Sequence, residues 1–253
     1  SGVEVVLVTP GEPAEVPEIP GEVRRFARGG LARLLADCDG AVAQGQLAND
    51  LVLECPELPT AIDLYDPWLI ENLHYVGTLG LDPYRNDHAT WVLQLSRGDF
   101  FLCSSAEQRL YYLGWLTALG RVHPEKVAAD PTLARLIAEV PFGVETELRP
   151  HRPVLPATEG GPRLLFGGLY DWYDPWTLFA ALERLEDRPW TLLLVRNPNP
   201  DATPQKLFGE VEAWAKRKGW WGSRLQSIDW VPAERRVDLP CGGPGPVAPH
   251  RPP

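Results

Sequence analysis

Two near-copies of one hexapeptide constrain the fold of this chain more than any other feature. Residues 63–68 read Asp-Leu-Tyr-Asp-Pro-Trp, and residues 171–176 read Asp-Trp-Tyr-Asp-Pro-Trp. Each copy follows a short apolar run and precedes a segment with helical periodicity, so each predicts a strand that leads through a loop into a helix. The second Asp of each copy, Asp66 or Asp174, is predicted to be the N-cap. Proline would then occupy the first helical position, where its missing N–H is no loss.

The two hexapeptides have a structural and a functional interpretation. Asp-Pro helix starts are common, so two well-capped helices would account for both copies. The additional Asp63 and Asp171, together with the aromatic neighbours, favour a functional role. Loops at the carboxyl ends of parallel strands are where open α/β sheets bind ligands. One such loop in each half predicts two α/β halves whose hexapeptides face each other across a cleft.

Predicted strands and helices alternate along the chain. The strands are predicted at 4–8, 41–44, 60–63, 100–103, 163–166, 192–195 and 226–230. The helices are predicted at 22–36, from 67 onward, and at 84–96, 106–119, 131–139, 176–185 and 205–218. Strands separated by helices favour parallel sheets in a three-layer α/β architecture. We therefore predict two Rossmann-like domains with parallel sheets flanked by helices.

The domain boundary is predicted from composition. Residues 145–162 are rich in Pro, Gly and charge and lack any period, which is typical of a linker. This segment would join an N-terminal domain at 1–144 to a C-terminal domain at 163–239. Residues 240–253 are mostly Pro, Gly, Ala and Val and predict a disordered tail. A shifted reading frame in a GC-rich gene would produce the same composition.

Bulk properties exclude several functional classes. With 253 residues, of which 44% are apolar, the chain can bury two modest cores. A net charge of −10 argues against nucleic acid as a partner. No apolar run approaches the roughly 20 residues that span a bilayer. The cysteines lack Cys-x-x-Cys spacing and nearby His, which predicts reduced thiols, no metal site and a cytoplasmic location.

The second half contains a candidate phosphate site. The run at 164–168 predicts a strand that ends in Gly167 and Gly168, where the backbone could approach a ligand closely. The following helix would offer bare N–H groups and the positive end of its dipole to a diphosphate. A tight strand-to-helix turn is the alternative. Neither Gly-x-Gly-x-x-Gly nor a Gly-Lys-Ser/Thr loop is present, which argues against a dehydrogenase or an ATPase.

A third strand-to-helix junction lies at residues 102–109. Ser104 or Ser105 is predicted to cap the helix, and Gln108 is placed for a capping box if Ser105 is the N-cap. Arg109 would lie in the first turn, where the helix dipole disfavours a cation. It is therefore interpreted either as an anion contact or as a solvated surface residue.

One basic cluster stands out on this acidic chain. It is formed by Arg24, Arg25, Arg28 and Arg33. We interpret it either as a solvated helix face or as a peripheral contact with an anionic membrane.

Taken in order, these segments resemble the glycosyltransferases of the GT-B fold, family 4 in the usual sequence classification. The closest likeness is to a bacterial subgroup linked to envelope polysaccharide and lipopolysaccharide synthesis. The segments that carry the resemblance are 63–67, 71–73, 98–104, 108–109, 113–114, 119–121, 140–143, 167–178, 197–200 and 230–232.

The resemblance implies a fold and a reaction. Two Rossmann-like domains would enclose the active site, with the acceptor on the N-terminal domain and a nucleotide-sugar on the C-terminal domain. Transfer would retain the anomeric configuration without a metal or a cofactor. The expected partners are a nucleotide-sugar and a glycan or lipid-linked acceptor, in the cytoplasm or peripherally at the inner face of the membrane.

The resemblance also suggests site residues. Asp66 and Asp63 are the candidate catalytic carboxylates, with Tyr65, Ser104 and Arg109 on the acceptor side. The candidate donor-binding residues are Gly167, Gly168, Asp171, Trp172 and Asp174.

Two departures from the family pattern bear on activity. The Arg and Lys that many relatives place on the diphosphate are not evident after Gly168. The Glu-bearing motif that grips the donor should follow Trp230, where the chain turns to Pro and Gly. We therefore predict a fragment of a glycosyltransferase that lacks the start of one domain and the end of the other. The alternatives are a non-catalytic nucleotide- or sugar-binding remnant and a sugar-nucleotide epimerase of similar fold.

Overall fold

The computed structural model of the chain describes residues 2–9, 21–27, 29–143, 161–196 and 206–231. The chain divides into two compact units, Ser1–Val144 and Glu145–Pro253. Both units contain parallel sheets flanked by helices, so the predicted α/β, Rossmann-like fold class is confirmed. The predicted linker, except its last two residues, the predicted tail at 240–253 and the segment 197–200 lie outside the described residues.

The first unit contains a four-stranded sheet and a separate strand pair. The pair is β1 (Val6–Thr9) with β2 (Glu22–Arg25), and the sheet has the order β3 (Ala41–Gln44), β4 (Thr60–Asp63), β5 (Phe100–Cys103) and β6 (Ile137–Glu139). All neighbouring strands are parallel. The helices are α1 (Leu31–Leu34), α2 (Gly45–Glu54), α3 (Trp68–Glu71), α4 (Val76–Leu79), α5 (Leu81–Arg97), α6 (Ala106–Ala118) and α7 (Pro124–Ala129), with a 3-10 turn at Asn72–Tyr75.

The core of the first unit is layered on its central strands. Ile62, Phe101 and Ile137 lie side by side in register on β4, β5 and β6, and all three are fully buried. The helices cover them with apolar faces at helical spacing, such as Trp91 and Leu95 of α5. This packing places the ends of β4 and β5 on a rigid support.

The second unit is a smaller three-stranded sheet. Its order is β7 (Arg163–Phe166), β8 (Thr191–Val195) and β9 (Leu225–Ile228), with α8 (Pro175–Glu183) and α9 (Lys206–Arg217) as the connecting helices. Residues 192–195 of β8 are all buried, as expected for a central parallel strand covered on both faces. In α9 the buried residues are Leu207, Phe208, Val211 and Ala215, one face of a helix.

Parts of two predicted helices are strands, and two helices of the structure were not predicted. Residues 22–25 of the predicted helix 22–36 form β2, because they pair with β1 in register. Gly29, at φ +77, separates that strand from the short α1. The predicted helix 131–139 is replaced by turns and β6, because its end pairs with β5. The helices that were not predicted are α2, which buries Ala48, Leu51 and Val52, and the short α7.

Candidate functional site

We expect a functional site at the carboxyl edge of each sheet, because ligands of open α/β sheets bind there. In the first unit this edge carries the first hexapeptide, which follows β4, and Ser104, which follows β5. In the second unit it carries Gly167, Gly168 and the second hexapeptide after β7.

Side chains of helix α6 hold the first hexapeptide at the sheet edge through hydrogen bonds. The buried hydroxyl of Tyr112 donates to the carbonyl of Leu64 at 2.6 Å, and Gln108 Nε2 donates to the carbonyl of Tyr65 at 2.7 Å. Burial raises the pKa of Tyr112, so its phenol remains a donor. Asp63 Oδ1 accepts from the backbone N–H of Tyr65 at 3.1 Å, which closes the loop on itself. The loop is thus held by both local and long-range bonds.

Ser104 lies against this loop through the cap of α6. Ser105 Oγ accepts from the backbone N–H of Gln108 at 3.2 Å, so the N-cap role predicted for Ser105 is confirmed. The Gln108 side chain reaches one residue further back than in a capping box and accepts from both N–H and hydroxyl of Ser104. The Ser104 hydroxyl also lies 3.4 Å from the carbonyl of Tyr65.

Asp66 does not cap the helix that follows it. Helix α3 begins at Trp68 with Pro67 in the N-cap position and no side-chain cap, so the predicted cap is wrong. The Asp66 carboxyl lies beside that of Glu71 instead. Burial, followed by the Asp66 charge and hydrogen bonding between the two carboxyls, raises the pKa of Glu71. The first unit therefore presents a carboxyl pair that keeps a proton to higher pH than an ordinary Glu.

Arg109 has a structural role in the first unit. Its guanidinium donates to the carbonyls of Thr132 and Ile137, and so ties the approach to β6 against α6. Its predicted contact with an acceptor stays a prediction. Tyr65 packs edge-on against Phe142, whose side chain is 71% exposed, with ring centres 5.7 Å apart. This pair adds aromatic surface beside the carboxylates.

A cavity of about 520 Å³ lies at the carboxyl edge of the second sheet, a volume typical of small-molecule sites. It draws on the ends of β7 and β8 and on the residues that follow β9. Its lining consists of Leu165, Phe166, Gly167, Gly168, Tyr170, Tyr173, Val195, Trp230 and Val231. The predicted glycines Gly167 and Gly168 thus contribute to one cavity.

The two Asp residues of the second hexapeptide cap helices. Asp174 Oδ1 accepts from the N–H groups of Trp176 and Thr177 at 3.1 and 3.3 Å, so its predicted N-cap role is confirmed. The Thr177 hydroxyl bonds Oδ2 at 2.6 Å, and these contacts lower the pKa of Asp174, the hydroxyl most. Asp171 Oδ1 accepts from the N–H of Leu207, in the first turn of α9, at 2.9 Å. The expectation of bare N–H groups at the start of α8 is therefore wrong.

Sequence reasoning missed the aromatic residues that shape this cavity. Trp172, a predicted donor contact, stacks on Tyr170 at 4.9 Å with the rings only 6° apart. Tyr170 and Tyr173 meet edge-on at 5.2 Å. The dense aromatic run directly after the two glycines was the available signal. In the first unit the signal for Gln108 and Tyr112 was their i, i+4 spacing on one face of α6.

The basic cluster differs from its prediction. Arg24 and Arg25 lie on β2 rather than on a helix, and Arg28 is outside the described residues. The Arg24 guanidinium makes paired bonds to Asp37 and Glu22, with a contact of 2.6 Å to Asp37 Oδ1. This arginine is therefore used to tie β2 to the turn after α1.

The described parts of the chain show neither a metal-binding cluster nor a membrane-spanning helix. They contain no group of three or more His, Cys, Asp or Glu side chains placed to hold a metal ion. None of their helices has the length and apolar character needed to cross a membrane.

No family model matches this chain, and no curated protein shows significant similarity to it.

Proposed function

We propose that this chain belongs to a glycosyltransferase that moves a sugar from a nucleotide-sugar to a glycan or lipid-linked acceptor. The observation that carries the proposal is the difference between the two sheet edges. One edge gathers Asp63, Asp66 and Glu71, and the other forms an aromatic cavity beside Gly167 and Gly168. Carboxylates suit proton transfer from an acceptor hydroxyl, and a cavity with ring faces suits a donor. The family resemblance supplies the reaction class.

In the proposed reaction an acceptor hydroxyl attacks the anomeric carbon on the face from which the diphosphate departs. The new carbon–oxygen bond forms as the bond to the diphosphate oxygen breaks, which retains the configuration. Asp66 accepts the hydroxyl proton, and Asp63 shapes the loop through its bond to Tyr65. Burial and the neighbouring Asp66 raise the pKa of Glu71, so the pair carries less negative charge than two separate carboxylates at the same pH.

The location proposed for this activity is the cytoplasm, with peripheral contact at the inner face of the membrane. The state of the cysteines supports the cytoplasmic part of this proposal. Cys38, Cys55 and Cys103 carry free thiols, in keeping with a reducing compartment. A lipid-linked acceptor would bring the enzyme to the membrane surface.

The test combines binding and transfer. The chain is titrated calorimetrically with UDP- and GDP-sugars and then assayed with a radiolabelled donor. Gly167→Val is the most direct probe, because Gly167 lines the cavity and an added Cβ meets no atom within 4 Å. We expect at least about tenfold weaker binding, or about 1.4 kcal/mol, with an unchanged melting temperature.

Gly143→Val is the matched control, since its added Cβ is equally free of neighbours and Gly143 does not line the cavity. Equal nucleotide-sugar affinity in wild type and Gly167→Val would place the donor elsewhere. Gly168→Val is a less direct probe, because its Cβ would lie 3.3 Å from the Tyr170 ring and would displace it.

A non-catalytic nucleotide- or sugar-binding remnant is the second candidate. The observation that favours it is the capping of α8 by Asp174 and of α9 by Asp171, which occupies N–H groups that a leaving diphosphate could use. Nucleotide-sugar binding without any transfer in the radiolabel assay would support this candidate over the enzyme.

A further inference from the structure

We infer that the cavity of the second unit recognises the uncharged nucleoside of the nucleotide-sugar by ring stacking, and that the helix ends of this unit do not hold the diphosphate. This inference rests on the proposed function and names the part of the donor that is bound. It differs from the expectation drawn from the glycine pair alone, which was a diphosphate seat.

The first observation is that the described residues of the cavity wall carry no charge. The described residues that line it are glycines, aliphatic residues and aromatic residues, and the polar side-chain atoms among them belong to Tyr170, Tyr173 and Trp230. A diphosphate in such a wall would lose hydration without gaining a cation. A flat uncharged ring with a few polar edges fits it better.

The second observation is that carboxylates already occupy the helix ends beside the cavity. Asp174 takes the N–H groups of Trp176 and Thr177, and Asp171 takes that of Leu207. A phosphate at either place would have to displace a carboxylate and would be repelled by it. Carboxylates of the chain itself therefore already bind N–H groups in the first turns of both helices.

The third observation concerns Arg196, the cation that directly follows the cavity residue Val195. Its guanidinium carbon lies 4.7 Å from the centre of the Phe208 ring, and its Nε donates to Ser227 Oγ at 3.4 Å. Neither partner lines the cavity, and Arg196 is not among the described residues that line it.

The fourth observation is a ring platform at the cavity. Tyr170 is stacked on Trp172 and is met edge-on by Tyr173, so its orientation is fixed from two sides. Gly168 allows this, because a Cβ there would stand 3.3 Å from the Tyr170 ring. Aromatic rings held in this way stack on nucleobases of any sequence.

The experiment titrates the full chain with uridine, guanosine, UDP, GDP and methyl glucoside at low and high NaCl. We expect each nucleoside and its diphosphate to bind with Kd values within about threefold, and nearly equally at both salt concentrations, because uncharged contacts are not screened. A diphosphate that binds at least about tenfold tighter than its nucleoside, with an advantage that salt removes, would overturn the inference and leave the proposed function standing.

Two further outcomes separate the inference from the proposed function. Binding of methyl glucoside without any nucleoside or nucleotide would contradict both, since the cavity would then be a sugar site with no donor. Nucleotide-sugars that bind and react while free nucleosides do not bind would contradict the inference alone.

Substitutions test whether the aromatic rings of the cavity bind the nucleoside. Tyr170→Leu should weaken nucleoside binding at least about fivefold, whereas Tyr170→Phe keeps the ring and should stay within about twofold. Trp176→Leu is the control, because Trp176 belongs to the same hexapeptide but not to the cavity wall. Asp174→Asn keeps a good cap without the charge, so the Kd of UDP and the Kd of uridine should both stay within about twofold of wild type, because the diphosphate does not lie at this helix end. Equal loss in Tyr170→Leu and Trp176→Leu would contradict the inference, as would a UDP affinity that changes at least about fivefold in Asp174→Asn while uridine binding does not.

Discussion

Residues 63–68 and residues 171–176 differ at one position, Leu64 against Trp172, yet different contacts hold the two segments. The first is held from outside by α6, through Tyr112 and Gln108. The second instead binds helix ends with its own carboxylates, since Asp174 caps α8 and Asp171 caps α9. One short motif can therefore be held in place by residues of the core in one unit and can cap helices in the other.

The residues at two equivalent positions account for the difference between the two segments. Leu64 is 2% exposed and belongs to the core, whereas Trp172 is half-buried and stacks on Tyr170. Five positions after the second Asp the first unit has Glu71, and the second unit has the buried Phe179. Asp66 therefore meets a carboxyl group, while Asp174 meets no such group and is free to cap its helix.

The largest expected effect is on transfer activity and tests whether the first segment carries the chemistry. Asp66→Asn should lower kcat at least about 100-fold, the usual loss of a general base, because an amide cannot accept the hydroxyl proton. Asp82→Asn is the control, since its side chain is 92% exposed and pairs only with Arg85 nearby. Activity is measured by radiolabel transfer at saturating donor. Full activity of Asp66→Asn would contradict the proposal that the first segment carries the chemistry.

The next effect is on stability and tests the hold of α6 on the first segment. Tyr112→Phe should destabilise the first unit by about 1–3 kcal/mol, because the carbonyl of Leu64 loses its buried partner. Urea unfolding gives the free energy, and hydrogen exchange over 63–66 shows where protection is lost. Tyr84→Phe, whose ring packs on His88, is the matched control. Equal stability of both variants would mean that the hydroxyl does not hold the loop.

A smaller effect separates the two Asp residues. Asp174→Ala should lower the melting temperature of the second unit by about 4–8 °C, because α8 loses its cap. Asp66→Ala removes no cap, and the first unit should change by less than about 2 °C. Since the folded pKa of Asp174 is lowered, its contribution is present above the ordinary Asp pKa and is lost as the pH falls through the lowered value. Equal shifts in the two units would contradict the comparison.

The smallest effect is a pH dependence of opposite sign in the first segment. The folded pKa of Glu71 is raised, so its contribution to stability is full below the ordinary Glu pKa and is lost as the pH rises through the raised value. Glu71→Gln cannot ionise. Its free energy of unfolding relative to wild type should therefore increase between about pH 4 and pH 7. Urea unfolding across this range measures it, and a pH-independent difference would show that Glu71 and Asp66 do not interact.

Local patterns predicted the candidate site only where its contacts are local. The cap of Asp174 and the cap of Ser105 join residues two or three positions apart, so the sequence contains both partners. The pairing of Asp66 with Glu71 and the cavity around Tyr170 depend instead on how each loop packs against the neighbouring helices and strands. The cavity combines the ends of β7 and β8 with the residues after β9, and no spacing within one segment predicts that combination.

The sequence by itself determined the α/β class and the bounds of elements such as β4, β5, α6 and β8, because period-2, period-3.6 and continuous apolar runs reflect contacts repeated along one element. Tertiary structure alone decided that residues 22–25 and 137–139 are strands. In both segments a neighbouring strand supplies the backbone partners, and pairing across the chain outweighs local helix propensity. It likewise decided the different roles of Asp66 and Asp174, since a carboxylate binds whichever donor or neighbour the packed core brings to it.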